Sequence, residues 1–164
     1  VFMTALATSQ TPVFAQGSNN YPSRSISMIV PMSAGGTADL LARNLAPLLT
    51  EKLGQSVVVD NRVGANGAIG EEIFSRAKPD GYTILLGSNS TFVLNPALMA
   101  KMPYDASVDF DAIGKIGTLG LALLVNPQVP AKNVTELIAL IRANPDKYSY
   151  ASYGNGTTSN FAAS

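Results

Sequence analysis

The chain contains neither cysteine nor histidine in its 164 residues. Without these residue types it cannot, by itself, build a Cys/His zinc site, a thiol nucleophile or a Ser-His-Asp triad. It also lacks an excess of charge of either sign, because 11 Lys and Arg residues balance 11 Asp and Glu residues. With no basic run in the sequence, nucleic-acid binding has no electrostatic support. Several common classes of functional site are therefore excluded for this chain alone.

The sequence also has no stretch that approaches the ~18–20 apolar residues of a membrane-spanning helix. Its N-terminus is instead typical of the end of a secretory signal, with an apolar segment at 1–7 and the small-residue cleavage pattern Val13-Phe14-Ala15 before Gln16. No positively charged start precedes that segment, so the beginning of such a signal would be missing. We predict that residues 1–15 are the remnant of a signal peptide; an ordinary disordered leader is the alternative.

With 46% hydrophobic residues, the chain can bury the core of one or two small domains. Three short, mainly apolar segments are typical of buried strands: 25–31, 56–60 and 82–86. Helical patterns lie between them, from Thr37 to Leu53 and, after the loop Gly64–Gly70, to about Ala77. The resulting order, βαβαβ, implies right-handed crossovers and a parallel sheet. Pro47 predicts a kink or an early break in the first helix, because proline removes a backbone hydrogen bond.

The pattern changes after residue 100. Further elements are predicted as follows: strands near 110–116 and 121–125, a helix that opens at Asn133 or Thr135 and closes before Pro145, and a strand at 148–151. The last strand runs into a glycine loop and a hydroxyl-rich helix start. We therefore predict a first lobe over residues 16–100 and a second lobe over residues 101–164, with the second lobe incomplete.

The loop after the first predicted strand is the leading candidate for a binding site. Gly35 and Gly36 allow a ligand to approach the backbone closely. Thr37 can cap the following helix, and Asp39 lies in the first turn, where the helix dipole favours a negative charge. The unpaired N–H groups of such a helix start form an anion site. The alternative is a tight turn between strand and helix that binds no ligand.

Two further loops offer uncharged donors and acceptors, at 88–91 and 154–159. Because ligands on parallel sheets bind at the carboxyl ends of the strands, we expect the loops near 34–37 and 88–91 to line one edge. Simple turn chemistry is the alternative for each loop taken alone. The candidate ligand-binding residues are Ala34, Gly35, Gly36, Thr37, Asp39, Ser88, Asn89, Ser90, Thr91, Gly154, Asn155, Gly156, Thr157, Thr158 and Ser159.

A second class of function rests on Ala65-x-Gly67-x-x-Gly70, which follows a strand and opens a helix. This spacing is that of a dinucleotide fingerprint, so a nucleotide- or cofactor-binding enzyme domain built on Gly64–Gly70 is the alternative function. The first glycine of the pattern is replaced by Ala65, and no well-placed ribose-binding acid follows the next strand. No metal site is predicted, because Asp105, Asp109 and Asp111 do not match a calcium loop.

An ordered set of motifs resembles the Bug (TctC-like) family of extracytoplasmic solute receptors, the substrate-binding components of tripartite tricarboxylate transporters. The motifs span Tyr21 to Ser164 in family order. They are Tyr21-Pro22-Ser23-Arg24, Val30-Pro31, Ala34-Gly35-Gly36-Thr37-Ala38-Asp39, Leu53-Gly54-Gln55, Val57-Val58-Val59, Asn61-Arg62-x-Gly64-Ala65, Ile69-Gly70, Pro79-Asp80-Gly81-Tyr82-Thr83, Asn95-Pro96, Pro103-Tyr104-Asp105 and Gly154-Asn155-Gly156-Thr157.

The resemblance implies an α/β periplasmic-binding-protein fold of type II (Venus flytrap), with two lobes of parallel or mixed sheet flanked by helices. It implies a periplasmic receptor of a Gram-negative bacterium, without catalysis or cofactor. The implied partners are a small mono- or dicarboxylate, bound between the lobes, and the membrane subunits of the transporter.

Carried over by position, the loop Ala34–Thr37 belongs to the first lobe, with Asp39 structural or orienting. The loop Ser88–Thr91 lines the same cleft, and Gly154–Ser159 supplies the second lobe. The family's chains continue past Ser164, so this sequence is expected to be an N-terminal part of the fold. A truncated relative that binds no ligand is a third possibility.

Overall fold

The computed structural model describes residues 20–152, 154 and 156–164. The predicted signal remnant at 1–15 and the candidate residue Asn155 lie outside these residues. Within the described part of the chain, no helix combines the length and the apolar character needed to cross a membrane.

A three-stranded parallel sheet forms the centre of the fold. Its strands are β1 (Ile26–Val30), β2 (Val57–Asn61) and β3 (Thr83–Leu85), in the spatial order β2-β1-β3. In register, Met28 pairs with Val59 on one side and with Ile84 on the other. The central strand is the most buried, which explains its nearly continuous apolar sequence. The predicted βαβαβ order with parallel pairing is confirmed.

Helix α1 (Thr37–Leu53) covers one face of this sheet and buries Ala42 and Ala46 in the core. It runs through Pro47 without ending, so the predicted early break is wrong. Pro47 lies on the exposed side, where water can satisfy the carbonyl that its missing N–H leaves free. The helix ends at Gly54, whose left-handed backbone (φ 69°) lets its N–H donate to Thr50 O at 2.9 Å.

Helix α2 (Ala68–Ser75) follows a short 3₁₀ turn at Ala65–Gly67 and packs against β1 and β3. After β3 comes a single π-helical turn, Ser90–Leu94, which continues into the short helix α3 (Asn95–Leu98). The ring of Phe110 stacks on Phe74 of α2 and meets Phe92 of the π-helical turn edge to face. This aromatic cluster fixes the turn after β3 against α2.

The remaining elements are helices α4 (Val134–Ala143) and α5 (Thr158–Ala163). Helix α4 begins where the sequence predicts, since the side chain of Asn133 accepts a hydrogen bond from Glu136 N at 2.9 Å. The strands predicted at 110–116, 121–125 and 148–151 are not formed. A strand needs a partner for its backbone groups, and the described residues pair no neighbour with these segments.

Candidate ligand-binding site

The loop Ala34–Thr37 connects β1 to α1 at the carboxyl end of β1, and all four of its residues are exposed. Gly35 adopts φ +81°, a left-handed conformation that favours glycine. The N–H of Gly36 donates to Ser33 O at 3.2 Å and closes the turn. Gly36 is the N-cap of α1, and no side chain caps the helix. The predicted capping by Thr37 is therefore wrong, because Thr37 already lies inside the first turn.

Asp39 is buried beneath this loop, and its carboxylate binds three groups. Its Oδ2 accepts hydrogen bonds from Gly35 N at 2.8 Å and from Arg43 Nε at 2.9 Å. Its Oδ1 accepts one from Asn61 Nδ2 at 3.0 Å. The Arg43 guanidinium, followed by the Gly35 N–H, lowers the pKa of Asp39 to about 2. Asp39 is thus ionised, and the positive charge of Arg43 compensates its negative charge. Its hydrogen bonds hold the loop to the helix and to the end of β2.

The first turn of α1 contains backbone donors that lack a partner within the helix. The first intrahelical bond is made by Leu40 N, which donates to Gly36 O at 2.9 Å. The preceding N–H groups of Thr37, Ala38 and Asp39 have no partner within the helix. Together with the helix dipole of a 17-residue helix, these groups create a positive end that attracts anions.

The loop Ser88–Thr91 follows β3, the immediate neighbour of β1, so it lies at the same edge of the sheet. Ser88 is half-buried and Asn89 is exposed, whereas Ser90 and Thr91 are buried. Thr91 Oγ1 donates to Ser88 O at 2.9 Å and accepts from Ser88 N at 3.2 Å. The Ser88 hydroxyl is buried and has no hydrogen-bond partner among the described residues. Thr91 therefore shapes this loop, while Ser88 retains a free polar group.

The loop at 154–159, described at Gly154 and Gly156–Ser159, lies against the loop Ser88–Thr91. The hydroxyls of Ser90 and Thr158 are 3.2 Å apart, and Thr157 caps α5 by accepting from Asn160 N. The structure thus brings the loops at 88–91 and 154–159 together. Between 88–91 and 34–37 it shows a shared sheet edge but no hydrogen bond among the described residues.

Asn66, which sequence reasoning missed, links the start of α3 to the loop at 154–159. Its Nδ2 donates to Gly156 O and to Asn95 Oδ1, both at 2.8 Å. Its backbone is left-handed (φ 52°), within a run from Gly64 to Gly67 that has positive φ throughout. An Asn followed by a glycine, as Asn66 is by Gly67, is a local signal for such a conformation. Its contact with Gly156, 90 residues away, has no local signal in the sequence.

The same glycine run explains why the dinucleotide pattern is present. A Cβ at Gly67 would stand 2.5 Å from Thr91 Cγ2, and one at Gly70 would stand 2.6 Å from Arg62 O. The glycines therefore let the start of α2 approach Arg62, just after β2, and Thr91 in the π-helical turn, and protein atoms occupy the space next to them. This geometry does not favour the nucleotide-binding alternative.

The fold and these loops at the strand ends define an α/β protein of the periplasmic-binding class. A family model described as tripartite tricarboxylate transporter family receptor (TctC) matches residues 41–164. The chain belongs to this receptor family, which confirms the resemblance carried by its motifs.

Two relatives support the same assignment. The chain is 42% identical to a UPF0065 protein of Bordetella pertussis over 140 residues, 85% of this chain and 43% of that protein. It is 40% identical to Protein BugT of the same organism over 134 residues, 81% of this chain and 41% of that protein. The chain therefore spans less than half the length of these relatives.

Solved structures agree in fold. The structure titled R. palustris Rpa4515 with adipate superposes with a TM-score of 0.76 at 34% identity, covering 84% of this chain and 46% of its own. MatC from Rhodopseudomonas palustris, with bound malate, superposes with a TM-score of 0.70 at 27% identity, covering 84% of this chain and 47% of its own. The periplasmic binding protein BugD superposes with a TM-score of 0.68 at 35% identity, covering 87% of this chain and 48% of its own.

Proposed function

We propose that this chain forms part of a periplasmic receptor that binds a small organic carboxylate and delivers it to a tripartite tricarboxylate-type transporter in the membrane. The receptor binds and releases its ligand without chemical change. Residues 16–100 belong to its first lobe and residues 101–164 to its second. The observation that carries this proposal is the exposed N-terminus of α1, whose free N–H groups follow the loop Ala34–Thr37.

The electrostatics of the first loop suit an anion. The buried carboxylate nearest to it, Asp39, is paired with Arg43 at 2.9 Å, so its charge is compensated. The positive end of the helix dipole then dominates at the loop, and N–H donors hold a carboxylate without an arginine in the loop itself. In this proposal Thr37 and Ala38 bind the carboxylate through their backbone N–H groups. Gly35 and Gly36, whose own N–H groups donate to Asp39 and Ser33, let the ligand approach closely, and Asp39 orients the loop.

The other two loops complete the cleft with neutral groups. The unpartnered hydroxyl of Ser88 and the exposed side chain of Asn89 supply hydrogen bonds from the first lobe. The loop 154–159, already joined to Ser90 and Asn66, closes the cleft from the second lobe. Related structures carry adipate and malate, both dicarboxylates, which supports a ligand of this chemical class.

A substitution at Gly36 tests this function. Its φ lies outside the left-handed region, so the backbone accepts a side chain, but the side chain would stand in front of the α1 amides, 3.2 Å from Ser33 O. We expect Gly36→Val in the full-length protein to lower the affinity for malate or adipate at least tenfold, measured by titration calorimetry. Gly114→Val is the matched control, because Gly114 has open space around it and is remote from the loops in sequence.

Unchanged affinity in Gly36→Val would remove the first loop from the site. Stabilisation of the protein by a dinucleotide, with no heat of binding for any small carboxylate, would favour the enzyme alternative instead.

A further inference from the structure

Glu71 is a buried acid that the proposed site does not use. It lies in α2 with 0% of its surface exposed, and neither carboxyl oxygen has a hydrogen-bond partner among the described residues. The hydroxyl of Thr91 stands beside it. That hydroxyl has one hydrogen, which it donates to Ser88 O at 2.9 Å, so it cannot also donate to Glu71. The Glu71 carboxyl group is therefore buried next to the loop Ser88–Thr91 without a hydrogen-bond donor.

Among the described residues, no cation forms an ion pair with this acid. Helix α2 packs against β1, β3, the turn at 65–67 and the π-helical turn 90–94, and these segments contain no ionisable side chain. Two other segments touch α2: Arg62, whose guanidinium pairs with Asp60, and the segment around Phe110, which carries Asp109 and Asp111. The ionisable group that faces Glu71 is Tyr104, whose own pKa is raised by burial. On α2 itself, Glu72 pairs with Arg76 towards solvent. An ionised carboxylate in this place would be costly, and burial raises the pKa of Glu71 to about 7.

Thr91, the residue beside Glu71, is held by short contacts on several sides. Thr91 exchanges hydrogen bonds with Ser88 in both directions, and Tyr104 OH donates to Thr91 O at 2.6 Å. Gly67, at the start of α2, lies so close to Thr91 that a Cβ there would be 2.5 Å from Thr91 Cγ2. The conformation of Ser88–Thr91 thus depends on the groups packed against Thr91.

We propose that Glu71 is a positioning residue for the loop Ser88–Thr91, which it supports as a neutral carboxylic acid and releases when it ionises. The neutral acid has an O–H that Thr91 Oγ1 can accept, because that oxygen has a second lone pair besides the one used by Ser88 N. The ionised carboxylate has no hydrogen-bond donor beside it. We expect it to be stabilised by entering water or by a rearrangement of the loop that brings a donor to it. That this loop contacts a ligand rests on the proposed function, whereas the role of Glu71 in holding the loop does not.

Hydrogen exchange in the full-length protein without ligand tests the proposal. Wild type, Glu71→Gln and the control Glu72→Gln are compared at pH 5.5 and pH 8.5, each variant against wild type at the same pH. We expect the amides of 88–95 to exchange more than tenfold faster in wild type than in Glu71→Gln at pH 8.5, and at matching rates at pH 5.5. Glu72→Gln should match wild type at both pH values, since Glu72 lies on the solvent side.

Two results would overturn the proposal. One is a wild-type loop that exchanges like Glu71→Gln at pH 8.5. The other is loss of protection at pH 8.5 that extends equally to the α1 amides at 40–53, since that would be a global effect on stability. If Glu71→Gln does not fold, the titration of the wild-type Glu71 carboxyl by ¹³C NMR decides: a midpoint near 7 supports the proposal, and one near the ordinary 4.5 contradicts it. Because no ligand is used, failure of carboxylate binding would leave this test intact.

Discussion

Asp39 places a buried negative charge beside a loop that we propose to bind an anion, and Arg43 resolves that conflict. The ion pair compensates the carboxylate, which in turn holds Gly35 N at 2.8 Å and fixes the loop. The orienting role of Asp39 was predictable, and its spacing of four residues from Arg43 is a local signal for the pair. Asn61 was not predictable as its partner, because 22 residues separate them and nothing local connects the two.

Gly67 provides a prediction at the residue scale. Its φ is +89°, and a Cβ there would stand 2.5 Å from Thr91 Cγ2, so Gly67→Ala adds both backbone strain and a steric clash. Gly54→Ala is the matched control, since Gly54 has φ +69° but nothing within 4 Å of its Cβ position. We expect Gly54→Ala to lower the free energy of unfolding by about 1 kcal/mol and Gly67→Ala by about 2–4 kcal/mol, measured by urea denaturation. Equal losses would show that the contact between α2 and Thr91 is looser than described.

The elements of the sheet show what local sequence can predict. The strands at 56–60 and 82–86 were predicted within one residue of β2 and β3, because short β-branched runs between turn signals are distinctive. The strands predicted at 110–125 have similar sequences but no pairing partner among the described residues. Ile113 and Leu124 remain 89% and 86% exposed. Strand propensity is local, whereas a strand needs a neighbour, and the sequence of one segment cannot reveal that neighbour.

Pro47 provides a prediction at the element scale. It lies on the exposed side of α1, where its missing N–H leaves one helix carbonyl without a partner. Pro47→Ala restores that bond, and we expect the free energy of unfolding to rise by roughly 1–3 kcal/mol. Pro47→Gly restores the same N–H but adds backbone entropy, so it should be less stable than Pro47→Ala by about 1 kcal/mol. Thermal unfolding of both variants checks this, and destabilisation by alanine would mean that Pro47 has a packing role.

For the whole molecule, the candidate binding loops were predictable one at a time, but the contacts between them were not. Glycines and hydroxyl residues after strands mark each loop locally. The contacts from Asn66 to Gly156 and from Ser90 to Thr158 span 90 and 68 residues, and they depend on the completed fold. The parallel βαβαβ pattern supplied the expectation that the loops at 34–37 and 88–91 share one sheet edge. The expectation that 154–159 faces them came from the family resemblance, since the residue pattern of that loop alone is also typical of a simple turn.

The most direct test of the proposed site is a crystal structure of the full-length protein with a dicarboxylate, malate or adipate, that calorimetry shows to bind. We predict a carboxylate oxygen within about 3 Å of the N–H groups at the start of α1, at Thr37 and Ala38, with the Ser88 hydroxyl among the further donors. A ligand held by lysine or arginine side chains away from the start of α1 would contradict the account.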